Sequence, residues 1–112
     1  MPAFLSSVSA WWLLAVAGLL EIVWAMTMKA SDGFSKPLLS GITLVAAWAS
    51  FWLLGLSLKQ LPVGTAYAVW TGIGAVGAAI LGMIIFHEPA TLARIGCIAL
   101  IVGGILGLKL LH

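Results

Sequence analysis

The sequence predicts an all-α membrane protein with four transmembrane helices in each subunit. Three observations carry that prediction. Hydrophobic residues make up 63% of the 112-residue chain and charged ones only 7%. The mean hydropathy is +1.23. The apolar stretches also divide into four pieces, each near the roughly 20 residues that span a hydrocarbon core about 30 Å thick. So few charges cannot clothe a soluble domain, and a water-soluble enzyme is excluded. The whole chain, residues 1–112, reads as one transmembrane domain.

The first helix is expected over about 9–29, with Trp11 and Trp12 at the level of an interfacial aromatic belt. Ser31-Asp32-Gly33-Phe34-Ser35-Lys36 reads as a polar turn. The second helix is expected over about 37–58. It opens on Pro37, whose missing N–H would be unpaired in a first turn anyway, and it is closed by Lys59-Gln60. The third helix is expected over about 62–86, with Gly72, Gly74, Gly77 and Gly82 along it and a bend near Gly72–Gly74. His87-Glu88-Pro89 forms the next turn, where Glu88 would face the positive end of the following helix. The fourth helix is expected over about 90–111. Its apolar run between Arg94 and Lys109 is short, so both side chains are expected to reach outward to water.

Cys97 has no partner for a disulfide and reads as a small packing residue. His87 and His112 fall in a turn and at the end of the sequence, so neither a metal site nor a catalytic triad can be composed. No phosphate loop or basic nucleic-acid patch is present, and no cofactor is expected. The amino end lacks a basic region and its apolar segment contains Glu21, so it does not read as a cleaved signal peptide.

The flanking charge is balanced. Lys29, Lys36 and Arg94 lie on one side of the membrane, and Lys59, Lys109 and the amino terminus on the other, so the positive-inside rule gives almost no orientation. Insertion both ways up is the reading this favours, against a fixed topology set by one dominant loop. Four short helices can hardly enclose a ligand cavity while burying one another, so a partner copy is expected. Gly96, Gly103 and Gly107 on the fourth helix offer a small-residue surface for dimer packing, although such glycines also serve packing within a subunit.

Glu21 is the one acidic residue inside a membrane-length apolar stretch. A carboxylate at that depth costs about 2.5–3.5 kcal/mol on insertion scales, which makes it a functional candidate by default. Helical spacing puts Gly18, Trp24 and Ala25 on its face. The second helix carries a small or polar stripe through Ser40, Thr43, Ala47, Ser50 and Ser57, and the third groups Tyr67, Trp70, Thr71 and Gly74. At 1.5 Å per residue, Glu21 lies roughly 12 Å from one membrane face, and Ser50 and Trp70 roughly 12 to 14 Å from the other. All three therefore fall near the midplane. Each neighbour has a plainer alternative: Ser50 bonding back to its own helix, Tyr67 and Trp70 as packing residues, and Trp24 facing lipid.

The run from Glu21 through Trp24 to Lys29, the turn Ser31-Asp32-Gly33-Phe34, and Pro62-Val-Gly64-Thr-Ala-Tyr67-Ala-Val-Trp70-Thr71-Gly72-Ile-Gly74-Ala75 resemble the small multidrug resistance family of bacterial transporters across nearly the whole chain. Trp24, the Trp70–Ala75 run and Gly107-Leu108-Lys109 resemble its guanidinium-exporter branch. The resemblance implies an antiparallel, dual-topology homodimer in the bacterial inner membrane, multi-pass and proton-coupled. It also implies one site holding the glutamate of both subunits, with Trp24, Ser50, Tyr67 and Trp70 surrounding or supporting it, and helical spacing adds Gly18 to that lining. H+ would be the coupling ion, with guanidinium or a related small cation as the other ligand.

Guanidinium is planar and permanently charged, so it can meet a carboxylate through two parallel hydrogen bonds. Trp24, Ser50 or Tyr67 could hold the carboxylate in place, and protons and cation would compete for its oxygens. Two other readings stay open: a broader exporter of quaternary ammonium and other drug cations, and a non-transporting membrane subunit of a paired complex.

Overall fold

The computed structural model describes residues 3–111, and these form four helices without a strand among them. They are α1 (Ala3–Ala30), α2 (Pro37–Ser57), α3 (Val63–Ile85) and α4 (Leu92–Leu111). All four are long and apolar enough to cross a membrane.

The first helix starts at Ala3, six residues ahead of its expected start at Ser9. Ala-Phe-Leu-Ser-Ser-Val contains no breaker, so the helical backbone continues beyond the apolar window that marks the span. The fourth starts at Leu92 and not near Ala90, because the Thr91 hydroxyl accepts the Arg94 amide at 3.2 Å and serves as an N-cap.

The turn between α1 and α2 is built on Ser31. Its buried hydroxyl donates to the Met28 carbonyl at 2.7 Å and accepts the Phe34 amide at 3.1 Å. Asp32, Gly33 and Phe34 all take positive φ, which reverses the chain tightly. Glycine accepts that conformation without cost, whereas Phe34 does so under the constraint of the Ser31 bonds.

The helix α1 is the hub, packed along both α2 and α3, while the backbone of α4 approaches α3 alone. The core is small. It joins Ala10, Leu14 and Ala17 of α1 to Leu54 of α2, Leu61 of the connection, and Ala66, Val69 and Trp70 of α3. These positions gather in the half of the bundle nearest the α2–α3 connection. In the other half, α1 and α2 meet through hydroxyls, with Thr27 and Thr43 at 2.7 Å. A hydroxyl pair in hydrocarbon is worth on the order of 1 kcal/mol.

One cation–aromatic contact marks each end. Lys29 lies 5.9 Å over the Phe86 ring, tying the end of α1 to the end of α3. Lys109 lies 5.1 Å over Trp11, tying the end of α4 to the start of α1.

Two sequence expectations are revised here. Glu88 stays in the turn beside the first turn of α4, and Arg94 donates to it at 2.7 Å, so that guanidinium folds onto a carboxylate and does not simply reach outward to water. Both side chains are about one-third exposed, and such a pair contributes at most about 1 kcal/mol. Cys97 is exposed on α4 and takes no part in the protomer's core. The helix α3 is continuous through Gly72 and Gly74. Its glycines serve close approach: Cβ atoms at Gly72, Gly74, Gly77 and Gly82 would meet Ile105, Glu21, Ile22 and Glu88 in turn.

Candidate functional site

About two-thirds of the way along α1, the Glu21 carboxylate points at α3 and lies directly against Gly74. A Cβ there would overlap its Oε1 and Cδ. The half-buried Glu21 thus occupies a socket created by a missing side chain. Its Oε1 is buried and has no hydrogen-bond partner among the described residues, and the same holds for Trp24 Nε1. An unpaired acceptor and an unpaired donor one helical turn apart form a site ready for a ligand, since a buried polar atom without a partner costs free energy that a bound group recovers.

Ser50 stands behind the carboxylate. It is fully buried on α2, and its hydroxyl donates across the interface to the Ala17 carbonyl at 2.6 Å, one turn ahead of Glu21 on α1. It does not bond back to its own helix. With its single proton so used, Ser50 accepts the indole N–H of buried Trp70 at 3.0 Å. One hydroxyl therefore fastens three helices one turn from the carboxylate, without turning its proton toward Glu21.

An aromatic run continues from this bond. Trp24 and Phe51 have centroids 6.3 Å apart, Phe51 and Trp70 5.4 Å, and Trp70 and Tyr67 5.5 Å, all tilted. These spacings suit favourable ring–ring packing. Phe51 and Tyr67 are more than half exposed within the protomer, so the run presents an open aromatic face beside the carboxylate.

Gly18 has a different place from the others. It is buried beneath Ile73, and a Cβ on it would come within 2.6 Å of Ile73 Cγ2. It lets α1 and α3 approach. Gly96, Gly103 and Gly107 have open space beside them in the protomer.

Phe51 and the Ala17 carbonyl are members of the site that the sequence does not single out. Gly74, grouped in the sequence with Tyr67, Trp70 and Thr71 on one face of the third helix, proves to be the residue against which the carboxylate lies. Phe51 is adjacent to Ser50 and so points about 100° away on an ideal helix; only the packing of α2 shows that it bridges Trp24 and Trp70. Among the described residues no three His, Cys, Asp or Glu side chains gather as a metal site would require.

The sequence model of the small multidrug resistance protein matches residues 9–101 of the chain. A guanidinium exporter of Yersinia pseudotuberculosis is 59% identical over 101 residues, covering 90% of this chain and 97% of that one. Those of Escherichia coli K12 and Salmonella typhimurium LT2 are 56% and 55% identical over 100 residues, each covering 89% of this chain and 95% of its own. With that match and four membrane-length helices, the chain belongs to the small multidrug resistance family, a transporter and not an enzyme, and a multi-pass protein of the inner membrane.

Proposed function

We propose that this protein exports guanidinium and small guanidinyl compounds in exchange for protons, working as an antiparallel pair of identical subunits. One observation carries the reading: a carboxylate near mid-membrane depth whose buried Oε1 has no partner, one turn from an equally unpaired Trp24 N–H. A proton or a cation can each satisfy that carboxylate, and they compete for the same oxygens. Exchange follows if the site opens to one side at a time, since proton entry displaces the cation. The relatives named guanidinium exporters support the choice of substrate.

The antiparallel pair is supported by the balanced flanking charge and by the open glycine flank of α4. In such a pair the inward-open and outward-open forms are one structure with the subunit roles exchanged.

A second reading, export of quaternary ammonium cations, is favoured by the open aromatic run, since ring faces attract a cation that offers no N–H. Flux into proteoliposomes under an imposed pH gradient separates the two, with guanidinium and tetramethylammonium as parallel substrates. Guanidinium should be driven against its own gradient, and Glu21→Gln should remove that coupling. Coupled transport retained by Glu21→Gln would sink the mechanism, and transport of tetramethylammonium alone would sink the substrate assignment.

A further inference from the structure

At the end of the protomer away from the α1–α2 turn, a groove of about 390 Å3 opens between α1, α3 and α4. Trp12, Ala15 and Ile73 give it accessible apolar surface over the buried Leu14, and Trp11 and Lys109 line it as well. The Lys109 ammonium lies 5.1 Å over the Trp11 ring, a position that leaves it open to a further partner.

Charge decides what that partner is. The chain has three acidic side chains. Glu21 is at mid-depth, while Asp32 and Glu88 lie in the two connections at the opposite end, with Glu88 held by Arg94. The end carrying Lys109 therefore has no acidic side chain of its own. A groove with an apolar wall, an interfacial indole and a lysine that no acidic side chain faces matches a phospholipid: acyl chain along the wall, glycerol at the level of the tryptophan, phosphate on the lysine.

We propose that this groove is a binding site for an anionic phospholipid, with its headgroup on Lys109 and one acyl chain against Ala15 and Ile73. A second copy of the chain, laying a helix and a carboxylate there, is the competing occupant.

Native mass spectrometry of the full-length protein, titrated with phosphatidylglycerol and phosphatidylcholine of matched acyl chains, tests this. Phosphatidylglycerol should be retained about tenfold more than phosphatidylcholine. Lys109→Gln should abolish that preference, Lys109→Arg should preserve it, and Ala15→Phe should lower retention of both lipids. Equal retention of the two lipids by the unaltered chain would overturn the proposal, as would a preference that survives Lys109→Gln. If Lys109→Gln instead dissociates a dimer and the unaltered chain shows no lipid preference, the groove belongs to a second copy and the proposal fails.

Discussion

The Trp70 indole donates to the Ser50 hydroxyl at 3.0 Å while that hydroxyl donates to the Ala17 carbonyl at 2.6 Å, so α3 is tied to α1 through a side chain of α2. The tie sits one helical turn from the Glu21 carboxylate and its Gly74 socket. Its loss should be felt there even though neither bond touches Glu21.

Ser50→Ala removes both bonds at once and leaves the Trp70 N–H buried without an acceptor, at a cost of about 1–3 kcal/mol. The expected outcome is weaker guanidinium binding, by about tenfold or more, with the protein still folded. Ser50→Thr keeps the hydroxyl and should restore part of the affinity. Calorimetric titration of the two variants checks this, and unchanged affinity in Ser50→Ala would separate the tie from the site.

Gly74→Ala puts a methyl group where the Glu21 carboxylate lies. Overpacking of this kind costs about 1–3 kcal/mol, and here the carboxylate must move to relieve it. Guanidinium flux should fall at least tenfold in proteoliposomes. Gly64→Ala, where a Cβ meets nothing, should leave flux within about twofold of the starting chain.

Gly18 and Ile73 form a matched pair, so their substitutions should compensate. Gly18→Ala alone drives a Cβ into the Ile73 side chain, while Ile73→Ala alone removes packing at a partly buried position, at a cost of about 1–2 kcal/mol, below that of a fully buried truncation. The double variant should be more stable than the sum of the single effects predicts. Thermal unfolding in detergent measures the cycle, and strict additivity would show that the two residues do not pack as described.

Gly103 lies on the open flank of α4. Gly103→Val should therefore leave the helical content of the protomer unchanged while shifting a dimer toward monomer. Circular dichroism together with single-molecule photobleaching in liposomes reads the two quantities separately. A dimer population unaffected by Gly103→Val would move the pairing surface elsewhere.

Much of the architecture is legible in the sequence because hydropathy acts over windows of about 20 residues, and the four spans are separated by unmistakable polar turns. Glu21 is conspicuous for a related reason, since charge is scarce. Contact partners are harder to read. Ser50 has carbonyls of its own helix and of a neighbour within reach, and only the closeness of α1 and α2 selects Ala17. Glu88 and Arg94 are six apart, outside the helical three-and-four rule, because their ion pair spans a turn and the first residues of α4. The Gly74 socket is hidden for the same reason: a sequence displays side chains, whereas here the informative feature is where one is lacking.

The glycines of α3 give that helix an unusual character. Gly72 receives Ile105, Gly74 the Glu21 carboxylate, Gly77 Ile22, and Gly82 Glu88. The helix works as a gauge block, setting by its notches how far three other segments stand from its axis. Its tolerance to substitution is consequently one-sided: at these four positions every replacement adds bulk, and each would displace a different neighbour. The half-exposed Phe51 of α2 carries no such constraint from a glycine notch, so bulk there can change without entering the spacing that these four positions set.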